Sequence, residues 1–267
     1  MAASSHFPGQ TWSSQPCVDH VAQGFSSRPA AQDAFEAGRQ HTQQPIVTGT
    51  SILGIRYKDG VMMAADTLAS YGSLARFMDV RRLHEVSPNT LLGASGDMSD
   101  FQFIQHELQK VMIRESNAAD GHTLSPSQVY AYLSRYMYQR RSKVDPLWNS
   151  FVVGGIDQST GAPFLGYVDL LGTTYESTTI ATGFGLHLAQ PLLRKAVEGR
   201  EDELDESQAR RILEDCMKVL FYRDARSINR FQIATINNAG ISISEPFSAP
   251  TSWGFAEGLR GYGPQTQ

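Results

Sequence analysis

The sequence has little cysteine, no long apolar run and no excess of basic charge. Its 267 residues include only Cys17 and Cys216. Two cysteines are too few for a disulfide framework or a metal cluster, and they suit a reducing compartment. No apolar run approaches the roughly 20 residues of a membrane-spanning helix. The formal net charge is −4, with 23 basic residues, which provides no general field for nucleic acid. We expect a soluble intracellular protein with neither membrane nor nucleic acid among its partners.

The first 41 residues are rich in Ser, Gln, Ala and Pro and show no hydrophobic periodicity. They lack the apolar core of a secretory signal. Such a composition buries too little apolar surface to offset the entropy of ordering the chain, so residues 1–41 are predicted to be disordered. The remaining chain has ordinary composition and is long enough for one domain with a sizeable core.

A β-hairpin is predicted between Thr48 and Asp66. Residues 51–57 alternate with the period of two that is typical of a strand. Asp59 followed by Gly60 predicts a tight turn, because both residue types tolerate a positive φ. Residues 61–65 then form an apolar run short enough to be a strand buried on both faces, and Asp66 ends it with a carboxylate.

The rest of the chain alternates between groups of strands and pairs of helices. Further strands are predicted at residues 76–80, 83–86, 90–94, 149–156, 163–169, 231–236 and 241–244. Capping patterns predict helices that begin at Ser99, Ser125 and Asp205, and Pro191 must kink or restart a helical stretch between them. Helices grouped after runs of strands do not suit a doubly wound parallel sheet. An α+β sandwich of two antiparallel sheets, each covered by a helix pair, accommodates the order.

The hairpin and the motifs that follow it resemble the opening of a β-type subunit of the 20S proteasome. The likeness includes Tyr71-Gly72 and the run Gly93-Ala94-Ser95-Gly96-Asp97, and it extends over residues 48–245, most of the chain. Three segments narrow the likeness to a non-proteolytic position, the seventh of the β ring: 42–45, 71–77 and 222–227. The family consists of N-terminal-nucleophile hydrolases. The resemblance therefore implies their four-layer αββα sandwich.

In the proteolytic members of that family the nucleophile is the hydroxyl of an N-terminal threonine. Its own free α-amine accepts the proton, because an α-amine titrates near neutrality and an amide nitrogen has no basicity. By resemblance, Thr50 stands at the nucleophile position and Gly49 directly before it. Asp66, Asp224 and Ser227 stand where the supporting groups of the family stand.

Several departures from the family pattern argue against catalysis. The catalytic lysine of the family corresponds to Arg82, whose guanidinium is larger, planar and permanently charged. The usual arginine two residues after the aspartate is Leu68, and the usual glycine after the supporting serine is Ile228. Thr182 replaces a serine, which is a milder change. The resemblance thus implies a degenerate site in which no residue is catalytic.

The resemblance also implies that the leader is a propeptide trimmed between His41 and Thr42. Eight residues would then remain ahead of Thr50, whose nitrogen would stay an amide. A non-catalytic structural subunit is the favoured expectation. The alternative is an active threonine endopeptidase in which cleavage after Gly49 exposes Thr50, and the first residue of the mature chain distinguishes the two.

The C-terminal segment has too much Pro and Gly for a regular element, yet it carries Phe247, Trp253, Phe255, Leu259 and Tyr262. So many large apolar groups are expected to lie against something. Docking on the chain's own domain is one possibility. An arm that reaches a neighbouring subunit is the preferred hypothesis, and the resemblance implies it too. The expected organisation is a leader at 1–41, a domain at 42–245 and an arm at 246–267.

The resemblance implies the partners and the location as well. The partners would be the other α and β subunits of the hetero-oligomeric 20S core particle and, indirectly, its regulatory particles. Through them the complex would take part in ATP- and ubiquitin-dependent protein degradation, in the cytoplasm and the nucleus. The sequence contains no phosphate loop, metal-ligand spacing or nucleotide fingerprint, so no cofactor or metal is expected.

Overall fold

The computed structural model describes residues 44–118, 121 and 123–254, which belong to one compact unit, Gln43–Gln267. The leader 1–41 and the last part of the tail, 255–267, lie outside the described residues. In chain order the elements are β1 (Val47–Gly49), β2 (Ile52–Tyr57), β3 (Gly60–Asp66), β4 (Ala69–Tyr71), β5 (Leu74–Phe77), β6 (Leu83–Ser87), β7 (Thr90–Asp97), α1 (Met98–Ala118), α2 (Pro126–Ser142), β8 (Asn149–Ile156), β9 (Pro163–Val168), β10 (Thr174–Glu176), β11 (Thr179–Ala181), α3 (Gly185–Leu188), α4 (Gln190–Val197), α5 (Glu206–Arg223), β12 (Phe231–Asn237) and β13 (Gly240–Ile243).

The strands form two antiparallel sheets. The eight-stranded sheet has the order β10-β9-β8-β7-β1-β4-β5, and β6 pairs with the first half of β7. The five-stranded sheet has the order β11-β2-β3-β12-β13. The predicted hairpin is therefore the middle of the smaller sheet, where Ile55 pairs with Met62.

Three apolar layers hold the sheets and helices together. The layer between the sheets contains Ile52, Val61, Met63, Ala65, Leu91, Val152 and Ile236. The outer layer of the larger sheet packs against α1 and α2, and that of the smaller sheet packs against α4 and α5. The expected α+β fold, a four-layer αββα sandwich, is thus confirmed.

The apolar run in β3 follows directly from this layering. Val61, Met63 and Ala65 face the layer between the sheets, whereas Met62 and Ala64 face the helices. Because successive side chains of a strand point to opposite faces, a strand covered on both faces needs an unbroken apolar sequence.

The turn of the hairpin differs from the prediction. Lys58 and Asp59 form the turn, Gly60 is the first residue of β3, and neither Asp59 nor Gly60 has a positive φ. Glycine is needed at position 60 because the backbone of the neighbouring strand lies too close to leave room for a side chain. A β-carbon there would lie 1.9 Å from the carbonyl oxygen of Ile236 in the neighbouring strand β12.

The start of α1 also differs from the prediction. The helix begins at Met98 rather than Ser99. The Asp97 carboxylate accepts hydrogen bonds from the backbone nitrogens of Ser99, at 2.8 Å, and Asp100, at 3.2 Å. Asp97, the last residue of β7, therefore supplies the helix cap, and Ser99 lies inside the first turn.

The other predicted helix starts are confirmed. Ser125 and Asp205 each cap a helix with a reciprocal capping box, and Pro191 lies in the first turn of α4, where the helical stretch restarts. The strand predicted at 76–80 is instead β5, Leu74–Phe77. None of the described helices is both long enough and apolar enough to span a bilayer.

The described part of the tail lies on its own domain. Phe247 and Phe231 exchange two backbone hydrogen bonds of 2.8 and 3.0 Å, and the Trp253 ring contacts those of Phe221 and Tyr222. Docking on its own domain therefore holds for residues 246–254. The arm predicted to reach a neighbour remains a prediction for residues outside the described range.

Candidate functional site

Four of the predicted site residues form one connected network where β1 ends and β2 begins. Thr50 lies between these strands and is half-buried. Its Oγ1 donates a hydrogen bond of 2.5 Å to Oδ2 of Asp224. The other oxygen of Asp224, Oδ1, accepts from the backbone nitrogen of Arg226 at 2.9 Å. Both oxygens of this carboxylate are thus held in place, just after the end of α5.

Arg82 is the centre of the network and has no exposed surface. Its Nη2 forms an ion pair with Oδ1 of Asp66 and donates to the carbonyl of Ser51 at 3.0 Å. Its Nη1 donates to the carbonyls of Thr50, at 2.9 Å, and Ala94, at 3.4 Å. Its Nε donates to the carbonyl of Asp66 at 3.0 Å. All five N–H donors of the guanidinium are therefore used.

Asp66 is buried at the end of β3. Its Oδ2 accepts a hydrogen bond of 3.2 Å from the backbone nitrogen of Ile228. Burial raises the pKa of the Asp66 carboxyl, because the charged form loses its hydration, and the positive charge of Arg82 and the bond from Ile228 oppose this rise. A buried ion pair of this kind is costly to break, because either partner alone would be an unpaired buried charge.

Thr182 and Ser227 lie close by but make other bonds. Oγ1 of Thr182 accepts from the backbone nitrogen of Ile52 at 2.8 Å, which joins β11 to the start of β2. The Ser227 hydroxyl donates to the carbonyls of Asp224, at 2.8 Å, and Leu220, at 3.3 Å. Ser227 thus satisfies carbonyls at the C-terminal end of α5.

The segment before Thr50 is a strand that the sequence patterns did not reveal. β1 lies inside the larger sheet, where Thr48 pairs with Ser70 of β4 on one edge and with Asp97 of β7 on the other. The backbone nitrogen of Ile46 adds a bond of 2.8 Å to the Asp97 carboxylate. The run Ile46-Val47-Thr48 was the available signal, since three β-branched residues favour a strand.

A cavity of about 270 Å³ opens beside Thr50, and Gly96, Trp148, Gly183 and Phe184 contribute to its lining. A larger cleft of about 580 Å³ lies elsewhere, between β6 and α1, and contains none of the predicted site residues. Among the described residues, no group of three or more His, Cys, Asp and Glu side chains is placed to hold a metal ion.

Comparison with known proteins decides the family. The family model described as proteasome subunit matches residues 46–236. This chain belongs to that family. It is 50% identical over 243 residues to the probable proteasome subunit beta type-7 of Schizosaccharomyces pombe, with 91% of this chain and 93% of that protein covered. It is 49% identical over 223 residues to the proteasome subunit beta type-4 of Xenopus laevis, with 84% and 91% covered. The resemblance to a proteasome β-type subunit, and to the beta type-4 subunit within it, is thus confirmed.

In this proteasome subunit the hydroxyl of Thr50 has one acidic partner among the described residues, and in the uncleaved chain the nitrogen of Thr50 itself is not a free amine. The nitrogen of Thr50 is a peptide amide that links it to Gly49 of β1. Arg82 cannot accept a proton, because a guanidinium is always charged in proteins and has no acceptor atom. The only group bonded to Oγ1 in the described residues is the Asp224 carboxylate.

Proposed function

We propose that this proteasome subunit is a non-catalytic, structural member of the β ring of the 20S core particle. Its contribution to protein degradation would be to hold the ring together rather than to cleave peptide bonds. One observation carries the proposal: the residues directly before Thr50 are an interior strand of the larger sheet. Val47 pairs with Tyr71, and Gly49 pairs with Gly96 on the opposite edge.

The position of β1 makes its retention favourable. Among the described strands of the larger sheet, β1 alone connects β4 and β5 to β7. If cleavage after Gly49 released β1, the facing edges of β4 and β7 would lose their partners, and unpaired backbone groups are costly when buried. If β1 stayed bound after cleavage, it would continue to occupy the space beside Thr50.

The state of the polar groups at Thr50 supports the same proposal. A threonine hydroxyl needs a base to become a nucleophile. The nitrogen of Thr50 is an amide in the uncleaved chain, and the Arg82 donors are all occupied by four backbone carbonyls and Asp66. The polar groups around Thr50 therefore serve to hold β1, β2 and β3 together, which is a structural role.

The same proposal includes the partners and the location that the family likeness implies. The subunit would assemble with the other α and β subunits of the 20S core particle and, through it, with regulatory particles, in the cytoplasm and the nucleus. Support for assembly comes from the relatives, whose names describe them as proteasome subunits and of whose length this chain covers 93% and 91%.

One observation favours the alternative function, an active threonine endopeptidase with Thr50 exposed by cleavage after Gly49. The 2.5 Å contact between Oγ1 of Thr50 and Oδ2 of Asp224 places a carboxylate where it could accept the hydroxyl proton. This alternative requires that the Gly49–Thr50 bond be cut.

The intact mass of the chain, measured on purified core particles, separates the two functions. The proposal expects a mature chain that begins at Thr42, with no species that begins at Thr50. The particles are also treated with a hydroxyl-reactive peptide probe, and the catalytic subunits of the same particles serve as the positive control. Probe attached to Thr50 would contradict the proposal, and a Thr50→Ala subunit shows whether any label depends on that hydroxyl.

A further inference from the structure

One hairpin of the larger sheet is exposed at its turn and along its second strand. It consists of β4 and β5, joined by Gly72 and Ser73, and is followed by Met78. Every residue from 71 to 79 is exposed. Four of these are large apolar side chains, with exposed fractions of 56% for Tyr71, 57% for Leu74, 46% for Phe77 and 54% for Met78. Contiguous exposed apolar surface of this kind marks an interaction site.

The strand β5 is open on three sides. It ends the larger sheet, so its outer edge has no strand partner among the described residues. All four of its residues are exposed, so neither face is covered. By contrast, all seven residues of β3 are buried. A strand with an open edge and two open faces offers both unpaired backbone groups and apolar side chains to another chain.

The hairpin is nevertheless fixed in position. The Met78 carbonyl accepts a hydrogen bond of 2.8 Å from Oγ1 of Thr67 and one of 3.3 Å from Nη1 of Arg230. The backbone nitrogen of Val80 donates to the carbonyl of Thr67 at 2.9 Å. Because the backbone is already anchored, binding through this hairpin would cost little ordering entropy.

The charges on the hairpin and in the residues just after it indicate what would bind there. The Arg76 guanidinium lies 4.9 Å from the ring centre of Phe77, and Arg81 is exposed. Neither arginine has a carboxylate partner among the described residues, whereas the nearby Asp79 is paired with Arg230 at 3.2 Å. The two unpaired charges are therefore both positive. A partner surface that complements this hairpin would carry carboxylates around an apolar centre.

We propose that the β4–β5 hairpin is the surface on which a neighbouring subunit of the same particle docks, by placing an extended apolar segment flanked by carboxylates along the open edge of β5. Backbone hydrogen bonds would extend the sheet, and Leu74 and Phe77 would supply the apolar contact. The inference rests on the proposed function as a ring component. A second copy of this chain fits less well, because an antiparallel pair of β5 strands would bring two unpaired Arg76 charges together.

Incorporation into the core particle tests the proposal. The Leu74→Ser/Phe77→Ser double variant and the control Leu171→Ser are expressed as full chains with the other subunits. Leu171 is a suitable control because it is also an exposed leucine, at 48%, and lies in the turn between β9 and β10. In competition with the wild-type chain, the double variant is expected to enter particles about tenfold less well, because it loses the apolar side chains at the centre of the contact. The control variant is expected to enter as well as wild type.

A variant with reversed charges provides a second test of the same surface. Arg76→Glu/Arg81→Glu is expected to reduce incorporation, and the effect should shrink at high salt because the contact is electrostatic. Thermal unfolding of each variant alone shows that the fold is intact, since all four side chains are exposed.

The outcomes also separate this inference from the function that it rests on. If wild-type chain enters particles and both variants enter equally well, the docking surface is wrong and the ring function stands. If wild-type chain does not enter particles at all, the ring function fails. A dimer of the isolated wild-type chain that the double variant abolishes would assign the hairpin to a second copy and overturn the proposal.

Discussion

The side chain of Arg82 lies directly against Gly49. A β-carbon at Gly49 would stand 2.5 Å from Cδ of Arg82, well inside van der Waals contact. Arg82 also donates to the carbonyl of Thr50 at 2.9 Å, so it contacts the residues on both sides of the Gly49–Thr50 peptide bond. The glycine before Thr50 is thus explained by packing, and its presence alone does not indicate cleavage.

Gly49→Ala should destabilise the subunit by about 1–3 kcal/mol, because the added methyl group must displace a buried arginine whose donors are all used. Urea unfolding followed by tryptophan fluorescence measures the change. Gly254→Ala is the matched control, since a β-carbon there meets no atom of the described residues within 4 Å, and it should change stability by less than about 0.5 kcal/mol. Equal stability of the two variants would show that Arg82 does not restrict position 49.

Arg82→Met should destabilise the subunit by about 3–5 kcal/mol, because it leaves the Asp66 carboxylate buried without its charge partner. The Arg82→Met/Asp66→Asn double variant removes the second charge and should recover part of that loss, with a coupling of about 1–3 kcal/mol. Urea unfolding of the two single variants and the double variant completes the cycle. Additive effects would mean that the ion pair is not coupled.

Thr182→Val should cost about 1–3 kcal/mol, because the buried nitrogen of Ile52 loses its acceptor while the side-chain volume is kept. Thr182→Ser retains the oxygen and is expected to remain closer to wild type. Thermal and urea unfolding compare the two variants. If valine and serine gave the same stability, the 2.8 Å bond between Oγ1 of Thr182 and the nitrogen of Ile52 would contribute nothing.

Cys216 gives the subunit a pH-dependent stability at alkaline pH. Burial first, and then the nearby Asp215, raise the pKa of the thiol from its ordinary value of 9.0 to about 12. The folded state thus favours the neutral thiol, and its contribution is fully present below pH 9 and lost as the pH rises towards 12. The unfolding free energy of wild type minus that of Cys216→Ala should decrease between pH 8 and 10.5. A constant difference would mean that the thiol titrates normally.

The helix starts could be predicted where the signal is local. Ser125 and Asp205 each cap a helix with the glutamine three residues later, and all of these partners are visible in a short window of sequence. The first residue of α1 could not be predicted from local sequence, because Asp97 and Ser99 are both residue types that cap helices well. The length of β7 decides between them, and pairing with β8, which lies far along the chain, sets that length: Gly96 pairs with Asn149.

The positions of the site residues followed from the family likeness, but their bonds did not. Thr50, Asp66, Arg82 and Asp224 do form one network, as their assignment to one site implies. Ser227 instead binds carbonyls of α5. The five acceptors around Arg82 come from three separate parts of the chain, residues 50–51, 66 and 94, and no sequence pattern places them together.

The contact between Thr50 and Asp224 joins residues 174 positions apart. While the chain is being synthesised, Thr50 leaves the ribosome long before α5 does, so its hydroxyl has no carboxylate partner for most of translation. Contacts of such high sequence separation are also slow to form, because they require closure of a long loop. The junction around Thr50 is therefore completed only on a nearly finished polypeptide.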